Sequence, residues 1–207
     1  MRPAPRLIVF SDTTRAQPEL MLARFTALAR RAEPGSVLFT LRDYRLSVAA
    51  RLSLGVQLRA LATANEQAFG LADRADLARA LGARAIHLPE GGLAEPDVRR
   101  YLGPDVFVSR ACHDLQRAAE PDADALLLSP IFEPRKGRAA LGLAALGQHR
   151  AGSSGGRAGA AVYALGAVNV GNAAACIAAG AAGVAVIGAA LASDPEPLLE
   201  ALEISRR

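Results

Sequence analysis

Short apolar runs recur along the chain, each followed by turn residues and then by a helical pattern. Strands are expected at Leu7–Asp12, Val37–Arg42, Phe69–Asp73, Ala85–Leu88, Val106–Ala111, Ala125–Ile131, Ala161–Gly166 and Gly183–Ile187. Several of these runs, such as Leu126-Leu127-Leu128 and Val184-Ala185-Val186, are apolar at every position. That is the pattern of parallel strands covered on both faces. Between them, Met21, Phe25, Leu28 and Ala32 fall on one helical stripe after Pro18. Leu77 and Leu81 do the same, and Gly82 is placed to end that helix as a left-handed cap. Eight strands alternating with helices predict an α/β chain folded as a single (β/α)₈ TIM barrel over residues 1–207, with a doubly wound open sheet as the structural alternative. No Gly-x-Gly-x-x-Gly follows the first strand, which favours the barrel.

Composition narrows the function classes. The chain has 207 residues, 51% of them hydrophobic, and a net charge of +4, which excludes a disordered chain. Its two cysteines, Cys112 and Cys176, exclude a disulfide scaffold and read as small buried hydrophobes. Of its 24 basic residues only Lys136 is a lysine, and the arginines are scattered rather than clustered. With no tryptophan and 4% aromatics, a nucleic-acid surface is not expected. The uncharged stretch Ala158–Ser193 is long enough to raise a membrane span, but glycines and asparagines interrupt it as they would strands and a helix. The N-terminal apolar run stops at Asp12, short of a signal-peptide core, so a cytoplasmic protein without membrane partners is expected. His149–Gly159 reads as a linker-like loop.

In a barrel the chemistry lies at the carboxyl ends of the strands, with phosphate commonly bound after strands seven and eight. Those ends supply Arg42, Asp73, His87, Glu90, Arg110, His113, Arg135 and Lys136. Strands seven and eight end in Gly166-Ala167 and Gly188-Ala189, small residues whose N–H groups can approach a phosphate, with helix starts expected to add positive charge. His113 suits a base working near neutrality. His87 reads as a packed, hydrogen-bonded histidine at the barrel top, and His149 as solvated. Arg42 reads either as an anion clamp or as the partner of Asp43 or Asp73.

Three segments resemble the thiamine phosphate synthase/TenI family: Phe69–Leu93, Val106–Lys136 with SRACHDLQRA and ALLLSPIFEPRK, and Val162–Leu191 with GVAVI. The resemblance runs from about Val37 to Leu191 and implies a (β/α)₈ barrel. It also implies one of two activities. A synthase joins a pyrimidine pyrophosphate to a thiazole phosphate with Mg²⁺-assisted loss of pyrophosphate. A TenI-type tautomerase aromatises a thiazole carboxylate phosphate and needs no metal.

The synthase Gln-Leu-Arg-Glu-Lys motif reads Thr40-Leu41-Arg42-Asp43-Tyr44 here, and its Asn-Asp-Arg reads Ala72-Asp73-Arg74. The position of the second Mg²⁺-binding aspartate is Gly92; Ala111 and Pro134 replace a phosphate-binding serine and a threonine. Pro89 in His-Leu-Pro, and Arg110 followed by His113, look like the tautomerase pattern. On this comparison the expected function is a thiazole tautomerase without cofactor, with His113 and Lys136 catalytic. Arg42, Arg110, Gly166, Ala167, Gly188 and Ala189 would bind substrate and phosphate. The alternatives are a synthase, with Asp73 on Mg²⁺, and a non-catalytic phosphate-binding barrel. The partner is a small phosphorylated thiazole; association into a homo-oligomer is left open by the sequence.

Overall fold

The computed structural model describes residues 4–114, 122–135, 137–148 and 160–206. Eight strands close into one barrel in sequence order: β1 Leu7–Phe10, β2 Val37–Leu41, β3 Ala68–Ala72, β4 Ala85–Leu88, β5 Phe107–Cys112, β6 Ala125–Leu128, β7 Ala161–Leu165 and β8 Gly183–Val186. Every neighbouring pair is parallel, and β8 returns to β1 through Leu7↔Val184. The open-sheet alternative is thereby excluded. β6 is shorter than its apolar run, because Pro130 has no N–H to continue the ladder.

Around the barrel lie α1 Pro18–Arg31, α2 Val48–Ala64, α3 Ala75–Ala80, α4 Glu95–Leu102, α5 Ala144–Gln148, α6 Ala173–Ala178 and α7 Glu196–Ala201. The stripe Met21, Phe25, Leu28 and Ala32 is buried against the barrel, and Gly82 takes the left-handed conformation expected of it, with φ 61°. The uncharged stretch that raised a membrane span divides into β7, α6 and β8. No helix among the described residues is long and apolar enough to cross a membrane. His149–Gly159 lies outside the described residues.

Alternation along the strands separates two cores. Ile8, Phe10, Leu38, Ala72, Ala85, Leu127, Tyr163 and Ala185 pack together as the barrel interior. The intervening residues, among them Leu7, Val9, Phe39, Leu41, Leu71, Leu126 and Val184, pack outward with Met21, Phe25, Leu54 and Leu58 of the helices. Interior volumes are matched by pairing large with small. Tyr163 is fully buried and donates its hydroxyl to the Pro5 carbonyl at 2.5 Å. Gly183 makes room for it: a Cβ there would lie 2.6 Å from the Tyr163 ring and 2.5 Å from the Arg6 carbonyl oxygen. The lower barrel is filled, so chemistry is confined to the carboxyl-end mouth.

Candidate active site at the barrel mouth

The loop after β1 is tied to the end of β2 by a buried carboxylate. Asp43 accepts a short hydrogen bond from the Ser11 hydroxyl and another from the Thr13 N–H at 2.5 Å. Ser11 in turn accepts from the Arg42 N–H at 2.9 Å. Arg42 does not pair with Asp43 or Asp73, as the sequence suggested, but with Asp12, at 2.6 Å. The reason is local: Asp43 is already taken by Ser11 and Thr13, while Asp12, whose Oδ1 accepts from Thr14, turns its Oδ2 to Arg42 at the neighbouring strand end. Burial alone would raise the Asp12 carboxyl, but hydrogen bonds from Thr14 and the charges of Arg42 and Arg15 outweigh it and hold it below its ordinary value. The Arg42 Nε is buried without a partner. Its guanidinium lies 5.9 Å from the centre of the Tyr44 ring, and that of buried Arg51 lies 5.3 Å from the same ring.

After β3 the chain turns through two left-handed residues, Asp73 at φ 57° and Arg74 at φ 43°. Such conformations cost energy in non-glycine residues and gather at functional sites. The Asp73 N–H is anchored on the His87 carbonyl at 2.7 Å, and Arg74 is held away in a bidentate pair with Asp76. Asp73 therefore stands as the half-buried carboxylate of this strand end.

His87 projects among the barrel-interior side chains, edge-on to Phe10 at 5.1 Å, with Nδ1 3.1 Å from the Ser109 hydroxyl. Burial, with the charges of Arg110 and Arg42 added, pushes its pKa down to about 4. The packing role expected for it agrees with this placement. A histidine near 6.5 when unfolded and near 4 when folded favours the native state only while neutral. Stability is expected to hold above pH 6.5 and to fall as pH drops toward 4. Urea unfolding across that window should show a flatter profile for His87→Asn than for the parent. Parallel profiles would mean that His87 does not titrate as its surroundings require.

Arg110 has a different task from the substrate contact expected of it. Alternation places Ser109 inward with His87, so Arg110 faces outward toward α4. There it donates to Glu95 Oε1, to the carbonyls of Pro89 and Glu90, and to Leu93, at 2.5–3.2 Å. It is a clamp on the loop after β4. That loop is tight, and a Cβ at Gly92 would lie 2.8 Å from the Pro89 ring, so the position of the resemblance's second metal-binding aspartate has no room for a side chain.

His113 follows β5 and points Nδ1 at the Ser129 carbonyl, 2.7 Å away. Only a protonated Nδ1 can make that bond, which leaves Nε2 with the basic lone pair. His113, Glu90, Asp114, Arg138 and Leu141 line a cleft of about 380 Å³ at the mouth. Arg138 closes one side through a long 3.7 Å pair with Glu90. Lys136 lies outside the described residues.

The expected anion turns differ from one another. Gly166 (φ 105°) is required, since a Cβ would meet Pro130 Cα at 2.9 Å, and Ala167 follows in a left-handed conformation at φ 56°. The side chains of Asn169 and Asn172 both donate to the Ala167 carbonyl and fix the loop. α6 begins only at Ala173, so no helix start stands at Gly166, contrary to expectation. Gly188 and Ala189 do open a short 3-10 turn, Gly188–Leu191. Arg15, which no sequence pattern singled out, lies against Gly188: its Nη1 is 3.3 Å from where a Cβ would stand. Both cysteines are buried, and burial raises their thiol pKa values, Cys176 to about 11. They are packing residues.

The residues that could serve Mg²⁺ are few. Among the described residues no group of three or more His, Cys, Asp or Glu could hold a metal ion. Mg²⁺ that arrives on substrate phosphates needs one or two protein carboxylates. Asp73 is one such carboxylate at the mouth and Glu90 lines the cleft beside it, while position 92 is closed against Pro89.

Known proteins share both sequence and fold with this chain. Residues 13–190 match the family model described as thiamine monophosphate synthase. The thiamine-phosphate synthase of Albidiferax ferrireducens is 31% identical over 183 residues, covering 86% of this chain and 81% of that protein. That of Methanoculleus marisnigri is 37% identical over 171 residues, 79% of each chain. A solved thiamine phosphate pyrophosphorylase from Pyrococcus furiosus superposes with a TM-score of 0.79, covering 98% of this chain and 97% of its own, at 24% identity, a likeness of fold. The barrel, the strand-end motifs and these matches agree: the chain belongs to the thiamine monophosphate synthase/TenI family.

Proposed function

We propose that this chain is a thiamine-phosphate synthase, a transferase that couples a pyrimidine pyrophosphate to a thiazole phosphate and releases pyrophosphate. The observation that carries the reading is the similarity, at 31–37% identity over most of both chains, to proteins bearing that name. It supports transfer over the tautomerisation that the motif departures alone favoured.

The mouth offers a division of labour suited to two phosphorylated partners. The turns at Gly166-Ala167 and Gly188-Ala189 take the thiazole phosphate through main-chain N–H groups. Across the mouth, Arg42, fixed by Asp12, faces the pyrophosphate side with the Asp73 carboxylate. Mg²⁺ bound there with the pyrophosphate would neutralise charge that grows on the leaving group. The chain's own part is to hold both rings in line and to keep Asp73 and Arg42 fixed before substrate arrives.

A second reading, metal-free thiazole tautomerisation, is favoured by one specific feature. His113 presents a basic Nε2 to a cleft beside two carboxylates and Arg138, a suitable arrangement for moving a proton. Rate against chelator concentration separates the two. With both synthase substrates supplied, thiamine phosphate should form and stop as Mg²⁺ is removed. Aromatisation of a thiazole carboxylate phosphate that proceeds in excess chelator, with no coupling under any metal condition, would establish the second reading instead.

A further inference from the structure

Arg15 carries a placement that the reading above does not use. The β1–α1 loop that bears it is held by Asp12, which accepts from the Thr14 N–H at 3.1 Å, the Thr14 hydroxyl at 2.5 Å and Arg42 at 2.6 Å. The Arg15 N–H closes the turn on the Asp12 carbonyl at 3.0 Å. From this loop its side chain reaches the turn that follows β8. There its Nη1 comes within 3.3 Å of the Cβ position of Gly188. Its nearest carboxylate oxygen, on Asp12, is 3.6 Å from Nε, beyond hydrogen-bond range, and that oxygen already accepts from Arg42. Asp12 thus steers the guanidinium without satisfying its donors, and the side chain is half-exposed to the mouth.

The geometry points to Arg15 as the cationic contact for a phosphate monoester at the Gly188 turn, the residue that selects phosphorylated over unphosphorylated thiazole. This rests on the reading that the thiazole phosphate lodges at the β7 and β8 turns. An arginine fork matches two oxygens of one phosphate, a contact that main-chain N–H groups alone cannot make with charge. Glycine at 188 leaves the guanidinium its clearance: an added methyl group would stand 3.3 Å from Nη1, and the side chain would have to give by a few tenths of an ångström. Gly188→Ala would crowd Nη1 and shift the fork slightly, a milder perturbation of the same contact.

The test is calorimetric binding of inorganic phosphate and of thiazole phosphate to the full chain, in parent, Arg15→Gln, Arg15→Lys and Gly188→Ala forms. Arg15→Gln should weaken both ligands by on the order of tenfold, the scale of one charge-assisted contact at a half-exposed site. Arg15→Lys should recover part of the loss, and Gly188→Ala should reproduce part of it. In turnover, Arg15→Gln should raise KM for thiazole phosphate with kcat nearly unchanged, and should leave the dephosphorylated thiazole alcohol unaffected. Arg15 is on the surface, so circular dichroism should match the parent. Phosphate binding equal in parent and Arg15→Gln would overturn the assignment while leaving the function standing. A parent that binds neither ligand would overturn both.

Discussion

Asp73→Asn is expected to lower the coupling rate on the order of 10²–10³-fold, the usual loss when one group facing developing charge is removed. Asparagine tolerates the left-handed φ of 57° that this position requires, so the variant isolates the charge from the backbone. The fold should be untouched, since Asp73 is tied to β4 by its main-chain N–H. Position 92 is closed against Pro89, so Glu90 is the carboxylate that the β4 loop offers beside it. Raising Mg²⁺ should recover part of the rate, because the variant weakens the hold on the metal–pyrophosphate pair. The competing proton-transfer chemistry predicts the opposite order. There His113→Ala would lose about 10²–10⁴-fold and Asp73→Asn little.

Arg110→Ala is expected to cost about 3–5 kcal/mol of stability, the penalty for leaving one member of a buried ion pair unpaired. Its side chain is 13% exposed and that of Glu95 10%, so water can replace the lost partner only in part. The variant also removes the donor shared by the Pro89, Glu90 and Leu93 carbonyls, which hold the β4 loop. For a chain of this size the midpoint should drop by about 10 °C, at some 2–4 °C per kcal/mol. Arg110→Ala with Glu95→Ala should be milder than Arg110→Ala alone, because no carboxylate is stranded. Thermal unfolding of the three proteins checks this. A double variant as unstable as, or less stable than, the single one would mean that the pair is not the source.

The barrel was legible from the chain because its strands are apolar on both faces and separated by helical stripes, and all eight expected runs form strands. Strand-end position also placed His113, Asp73 and the two glycine turns at the carboxyl-end mouth, where the structure has them. Position alone failed where direction mattered. Arg110 lies at a strand end, yet alternation with Ser109 turns it outward onto Glu95, a parity that the sequence carries and that a strand-end reading overlooks. Arg42 met Asp12 rather than Asp43 because Asp43 is claimed by Ser11 and Thr13, a contact across two strands that no local spacing reveals. Arg15 was invisible for the same reason, since its site is made by a residue far away in sequence. The late start of α6 follows from the paired asparagines, which stabilise the 166–172 loop in place of a helix turn.

As a synthase, this mouth would join two phosphorylated heterocycles. The most direct measurement is mass spectrometry of the products after incubation with Mg²⁺ in deuterated water, supplying pyrimidine pyrophosphate with thiazole phosphate and, separately, thiazole carboxylate phosphate alone. The predicted result is thiamine phosphate and pyrophosphate in equal amounts from the first mixture, and unchanged thiazole in the second. Deuterium carried into an aromatised thiazole, with no coupled product in the first mixture, would contradict it.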